Sequence, residues 1–111
     1  MATWVTLCEN KDFRTLYYRG KSQVHAGLVT YVRPNRLGYP RVGITTGKKV
    51  GCAVLRSRAR RVIREGFRPL LPQVGGYDIV FVARTRTPEL KSTSLTPGIR
   101  RHLTEMGVIQ G

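Results

Sequence analysis

The stretch Lys48–Arg68, KKVGCAVLRSRARRVIREGFR, most constrains what this chain can fold into. Its 21 residues carry eight Lys or Arg and one acid, Glu65. At about 100° per residue, Leu55, Ala59, Val62, Ile63 and Gly66 fall on one stripe, the spacing of a buried helical face. Ser57, Arg60, Arg61, Arg64 and Arg68 fall opposite, with Arg56 and Arg58 on the flanks. The pattern predicts an amphipathic helix over Cys52–Arg68, with Gly51 as N-cap and Pro69 ending it. Its apolar seam needs a partner surface. Strand-like segments on either side, RVGITT at Arg41–Thr46 and YDIVFVAR at Tyr77–Arg84, offer one as a βαβ unit.

A run of charge on a helix is most often a solvated face, but such faces mix signs. Here six arginines and no lysine occupy the helix, and like charges at i, i+3 and i+4 repel. Arginine presents a planar, bidentate donor set to phosphate and stacks on bases. The whole chain has 20 Lys and Arg against 6 Asp and Glu, a net charge of +14. That excess argues for a polyanionic partner. No apolar run approaches the roughly 18 residues of a membrane span, and the N-terminus lacks the pattern of a signal peptide. We expect no membrane partner.

The 111 residues suit one domain over 1–111, with room for a modest core. Cys8 and Cys52 form no CxxC, and His25 and His102 stand alone, so no zinc site is expected. Both thiols are read as reduced, small apolar fillers. The few, scattered acids offer no paired carboxylates for two-metal hydrolysis by the protein itself.

The remaining elements follow in order. Asn10 caps a helix through Arg19, closed by Gly20, with Phe13, Leu16 and Tyr17 on one face. Leu16 reads as core. Phe13 and Tyr17 read either as core or as a stacking wall. Gln23–Arg33 alternates as one strand, with Val24, Ala26, Leu28, Thr30 and Val32 inward and His25, Gly27, Val29, Tyr31 and Arg33 outward. Pro34–Pro40 is a loop. In the second strand Val42 and Ile44 point inward. Lys48 and Lys49 approach the start of the arginine helix, a reasonable phosphate site. Tyr77–Arg84 has an apolar centre without alternation, as in a strand covered on both faces. Thr96 and Pro97 read as N-cap and N1 of a last helix, with Ile99, Leu103 and Met106 as its stripe and Arg100, Arg101 and His102 outside. Gly107–Gly111 reads as a frayed end.

The central stretch resembles the signature of the bacterial ribonuclease P protein subunit. The matching residues are Lys48, Lys49, Val50, Gly51, Ala53, Val54, Arg56, Arg58, Arg60, Arg61, Ile63, Arg64, Glu65, Phe67 and Arg68. DF-x-x-L-Y-x-x-G at Asp12–Gly20, the strand ending in Tyr31, RVGI and YDIVFVAR extend the resemblance over nearly the whole chain. Two positions depart from it. Cys52 and Ser57 stand where the family usually has Asn, and each loses an amide that could bond RNA or a metal-bound water.

The resemblance implies an α+β single domain, an αβββαβα sandwich like the second domain of ribosomal protein S5, with an extra short strand near Gly20–Gln23. It also implies a left-handed βαβ crossover, whereas about 98% of such units are right-handed. By the same resemblance, the protein is the non-catalytic subunit of a ribonucleoprotein endonuclease. It joins a catalytic RNA that hydrolyses precursor tRNA, removing the 5′ leader. Lys48, Lys49, Arg56, Ser57, Arg58, Arg60, Arg61, Arg64 and Arg68 would contact that RNA, and Phe13, Tyr17 and Tyr31 would line the leader cleft. Mg²⁺ would be held mainly by RNA, with no catalytic or metal-ligating residue in the protein. A monomer within a 1:1 cytoplasmic complex is expected. Two other readings stand beside this one: a ribosomal-type module holding ribosomal RNA, and a DNA-compacting protein. Neither calls for a stacking cleft.

Overall fold

The computed structural model describes residues 5–7, 10–25 and 27–109, without the side chains of Asn10 and His25. The expectations for Cys8, Ala26, the Asn10 cap and the His25 side chain lie outside the described residues, as do positions 110–111. The chain runs β1 (Val5–Thr6), α1 (Asn10–Arg19), β2 (Lys21–His25), β3 (Leu28–Pro34), β4 (Arg41–Thr45), α2 (Ala53–Phe67), β5 (Tyr77–Ala83) and α3 (Ser92–Glu105). Short 3₁₀ turns at Lys48–Val50, Arg68–Gln73 and Thr87–Glu89 link the later elements. One mixed sheet has the order β1-β4-β5-β3-β2. β4 and β5 are parallel and joined through α2, while β3 is antiparallel to both β5 and β2.

β5 lies at the centre, as its unbroken apolar run predicts. Its Ile79, Phe81 and Ala83 join Leu28, Val32 and Val42 in a core closed by α2 and α3. Val80 faces the other way, into a smaller cluster with Leu7 and Leu16 of the α1 side. The molecule therefore has three layers: α2 and α3, then the sheet, then α1. In α2, Ala59, Ile63, Gly66 and Phe67 are buried. Ile63 and Phe67 are fully enclosed, and Phe67 packs on Phe81 with ring centroids 5.0 Å apart. Gly66 lets α3 approach, since a Cβ there would stand 3.0 Å from the Ser92 carbonyl oxygen and 3.1 Å from Leu95 Cβ.

The expected single strand over Gln23–Arg33 is two. β2 and β3 pair antiparallel as a hairpin, and Val24 lies opposite Val29. Directly opposed residues of an antiparallel pair share a face. Val24 therefore lies with Val29 and Tyr31 on the α1 side, not with Leu28 and Val32, and is 66% exposed. The apolar alternation carries the same phase through the turn and so hides it. The extra strand near Gly20–Gln23 is β2. The two-residue β1, paired parallel with β4, has no counterpart in the sequence pattern.

Other expectations are corrected at element ends. Cys52, not Gly51, is the N-cap of α2 and is exposed rather than a core filler, while Gly51 has φ 133°. Leu55 is 40% exposed, because the seam starts only at Ala59. After Phe67 the chain continues as a 3₁₀ turn containing Pro69, which a tighter, short turn admits. Pro97 lies inside α3, which starts five residues earlier at Ser92. Leu95 is buried against Gly66, and the Thr96 hydroxyl donates to the Gly66 carbonyl at 2.7 Å, holding the added turn in place.

His102 is buried, not outside, and its Nδ1 lies 2.9 Å from the hydroxyl of buried Thr30. Val108 and Ile109 are buried where a frayed end was expected. Gly107 at φ 78° allows Val108 N–H to reach the Leu103 carbonyl at 2.8 Å and Gly107 N–H to reach that of Thr104 at 3.1 Å. This is a Schellman ending, which folds the chain back onto the helix.

Candidate nucleic-acid interface

The basic surface begins where β4 ends. Lys48 and Lys49, both exposed, occupy the 3₁₀ turn before α2. Ser57, Arg58, Arg60, Arg61, Arg64 and Arg68 are all exposed, as the helical period requires when Ala59 and Ile63 are buried. Arg68 and Glu65 approach to 3.8 Å, but both are about half exposed, so their pairing is weak. Arg56 differs from the rest. It is half-buried, and its Nε is enclosed with no hydrogen-bond partner. An unpaired buried donor costs about 1–3 kcal/mol, which an incoming phosphate or base oxygen would offset. Arg56 lines a hollow of about 230 Å³ with Thr46, Ala53, Ser57 and Arg60. Arg60 Nη2 reaches the Thr46 hydroxyl at 3.3 Å, tying the arginine face to the end of β4.

Cys52 stands at the same helix start. The backbone N–H groups of Leu55 and then Val54 hold its thiol below the ordinary value, with a smaller contribution from Arg56. Its side chain makes no capping hydrogen bond.

The aromatic residues lie across the sheet from the arginine helix. Tyr17 of α1 and Tyr31 of β3 meet edge to face, with ring centroids 4.9 Å apart and planes at 72°. Tyr17 is 42% exposed, while Phe13 and Tyr31 are half-buried and pack at the rim of the α1-side cluster. Phe13 lies over Gly43 of β4. A Cβ at Gly43 would stand 2.8 and 2.9 Å from the Phe13 ring atoms Cε1 and Cζ. The three predicted aromatics thus share one face, and α1 is seated there by glycine.

Strand register orders this face into rows. Gly43, Val80, Tyr31 and Ser22 form one row across the sheet. Thr45, Val82, Val29 and Val24 form the next, toward the arginine helix. The sequence pattern conceals that second row, because the alternation places Val24 in the core. It is an apolar floor beside the tyrosines, half-open at Thr45, Val82 and Val29 and exposed at Val24. On the far side of the tyrosines a third row holds Arg41, Asp78 and Arg33. Arg41 grips Asp78 with Nε to Oδ1 at 2.8 Å and Nη2 to Oδ2 at 2.6 Å. This bond, with Asp78 and Asp12 charges nearby, raises the guanidinium pKa further and fixes its charge.

Among the described residues no group of three or more His, Cys, Asp or Glu could hold a metal ion. Asp12 and Asp78 both face Arg41, so their oxygens already serve a cation. No helix among them is long and apolar enough to cross a membrane.

Comparison with known proteins agrees with this architecture. The ribonuclease P protein component of Clostridioides difficile is 40% identical over 96 residues, covering 85% of this chain and 84% of that protein. The corresponding protein of Alkaliphilus oremlandii is 38% identical over 104 residues, covering 93% and 91%. Among solved structures, the RNase P protein of Staphylococcus aureus superposes with a TM-score of 0.82 at 28% identity, covering 97% of this chain and all of that one. The RNase P protein of Thermotoga maritima gives 0.76 at 28% identity, covering 96% and 98%. The family profile described as Ribonuclease P matches residues 1–107, and the chain belongs to the ribonuclease P protein family.

Proposed function

We propose that this protein is the RNA-binding partner of a catalytic ribonuclease P RNA in the maturation of tRNA 5′ ends. In this reading α2 and its lysine approach dock on the catalytic RNA through Lys48, Lys49, Arg56, Ser57, Arg58, Arg60, Arg61, Arg64 and Arg68. Phe13, Tyr17 and Tyr31 hold the single-stranded 5′ leader of precursor tRNA. The observation that carries the reading is the pairing of two unlike surfaces on one small domain. An arginine face with an unpartnered Arg56 Nε lies on one side of the sheet, and an edge-to-face tyrosine pair beside an apolar floor lies on the other.

The chemistry suits a helper rather than a hydrolase. Hydrolysis of a phosphodiester needs a metal or a general base. Here the carboxylates nearest the cleft are committed to Arg41. In this reading Mg²⁺ and the reacting groups belong to the RNA. The protein contributes charge neutralisation between two polyanions, each neutralised phosphate adding about 0.7–0.9 to the salt slope. Stacking on aromatic rings adds about 1–3 kcal/mol per base without regard to sequence. A single protein copy per RNA, acting in the cytoplasm, satisfies this arrangement.

The test is cleavage of a precursor tRNA at low Mg²⁺ by a bacterial ribonuclease P RNA, by this protein alone, and by the two together. Rescue only by the pair is expected. No rescue, with tight binding to ribosomal RNA instead, would move the assignment to a ribosomal-type module.

A further inference from the structure

β2 is the last strand of the sheet. The order β1-β4-β5-β3-β2 gives it β3 on one side, and among the described residues no strand pairs with its outer edge. All five residues, Lys21–His25, pair with β3 in unbroken register, with no bulge and no proline. Every second residue of such a strand turns its N–H and C=O outward, where a further strand can bond them. The opposite edge, β1, has two residues and offers no such ladder.

Edge strands are commonly blunted by proline, a bulge, a covering loop or charge. Among the described side chains of β2 only Lys21 carries charge. Ser22 and Val24 are exposed and Gln23 is half-buried. Val24 is 66% exposed, and an apolar side chain so placed gains from a cross-strand neighbour.

Charge selects the strand that fits. Arg19 and Lys21, both exposed, stand at the start of β2, and Arg33 lies one step beyond the Lys21–Val32 pair on β3. The described acids are directed elsewhere. Asp12 and Asp78 face Arg41, Glu65 approaches Arg68, Glu105 pairs with Arg101, and Glu89 lies in the turn before α3. A second copy of this chain brings the same net charge of +14 and is repelled. The edge is thereby guarded against its own copies and open to a strand of opposite sign. RNA has the sign, but not the alternating N–H and C=O groups at strand spacing.

We propose that the outer edge of β2 binds an extended acidic peptide segment of a protein partner, which adds to the sheet as a sixth strand. Opposed residues share a face, so Ser22 and Val24 lie on the α1 side with Tyr31 and Val29, and Lys21 and Gln23 lie on the other with Val32 and Thr30. The added strand therefore sets an apolar residue beside Val24 and an acid beside Lys21. Its bonds run in the plane of the sheet, beside the face that carries the aromatic residues, so the site does not depend on where the leader lies.

The probe is a short fluorescent peptide of alternating Glu and Val. Its twin is N-methylated along its central residues, which keeps the charge and removes the ladder donors. Both are titrated against the full chain at physiological salt, where distant charges are screened. The unmodified peptide should bind about tenfold more tightly than its twin, since main-chain bonds carry the affinity. Hydrogen exchange should slow at Lys21–His25 and not along α2. Lys21→Glu should weaken the unmodified peptide about tenfold. Lys91→Glu, an equal change of net charge on the α3 layer, should not.

Equal affinity for the two peptides, or equal effects of the two charge reversals, would show attraction by charge alone. Slowed exchange along α2 in place of β2 would put the peptide on the arginine helix. Doubling of the sedimenting mass without peptide, with the β2 amides protected, would give the edge to a second copy. Protection of those amides by single-stranded RNA and not by the peptide would give it to RNA. Each of these results overturns the proposal.

Discussion

Tyr17 and Tyr31, one on α1 and one on β3, meet edge to face with ring centroids 4.9 Å apart. The arrangement leaves Tyr17 42% exposed, so one ring stays available to a base while its partner fixes its orientation. Phe13→Ala with Tyr17→Ala should weaken precursor tRNA binding by about 1–3 kcal/mol per lost stack and leave mature tRNA binding nearly unchanged. Paired equilibrium titrations of the two tRNAs measure this. Equal loss on both would remove the leader from this face.

On the opposite layer, Arg60→Ala with Arg64→Ala should weaken association with the catalytic RNA and flatten its salt dependence by about 1.4–1.8 in slope. Both side chains are exposed, so unfolding free energy should change by no more than about 0.5 kcal/mol for each. Filter binding over a salt series, beside urea denaturation, reads both quantities. Unaltered association would mean that another face meets the RNA.

Gly43 seats Phe13, and a methyl group there would stand under 3 Å from the ring. Gly43→Ala should displace the aromatic and cost about 1–3 kcal/mol of stability as overpacking. Leader-dependent affinity should fall, while association with the catalytic RNA holds. A variant with normal leader binding would show that Phe13 needs no such seat.

Thr30 and His102 join the sheet to α3 inside the main core, 2.9 Å apart. Thr30→Val keeps the shape and strands the His102 Nδ1. A loss of about 1–3 kcal/mol is expected in chemical denaturation. A neutral result would show that the ring nitrogen finds another partner.

Cys52 has a lowered thiol pKa from the N–H groups of Leu55 and Val54 and from Arg56. A lowered pKa means more thiolate at any pH beneath the ordinary value. Alkylation should therefore reach half its maximal rate at a lower pH than for a free cysteine. Bound catalytic RNA should slow it, since Arg56 is one helical turn away. A half-maximal pH equal to that of free cysteine would show that neither the helix N–H groups nor Arg56 stabilises the thiolate.

Much of this protein was legible locally. The seam of Ala59, Ile63 and Gly66 and the arginines opposite follow from a helical period alone, and both faces of β5 from an unbroken apolar run. The three aromatics were legible as a group by resemblance, though their seat on Gly43 was not.

What the tertiary structure decided was phase and partnership. The antiparallel pairing of β2 with β3 reverses the side on which Val24 lies, because opposed residues in a hairpin share a face, and so builds the apolar floor beside the tyrosines. His102 is polar by composition and buried by geometry, since the hydroxyl that satisfies it arrives from a strand 72 residues away. Pro97 stays inside α3 because Gly66 offers Leu95 a contact and Thr96 an acceptor. Arg33, Arg36 and Arg41 look alike in the sequence. Sheet register sets Asp78 between Arg41 and Arg33, and it is the Arg41 guanidinium that bonds its carboxylate. A sequence by itself determines which face of each element is apolar or charged, because that pattern repeats within a few residues. Which charges and polar groups find partners depends on contacts between distant strands and helices, and the fold alone sets those.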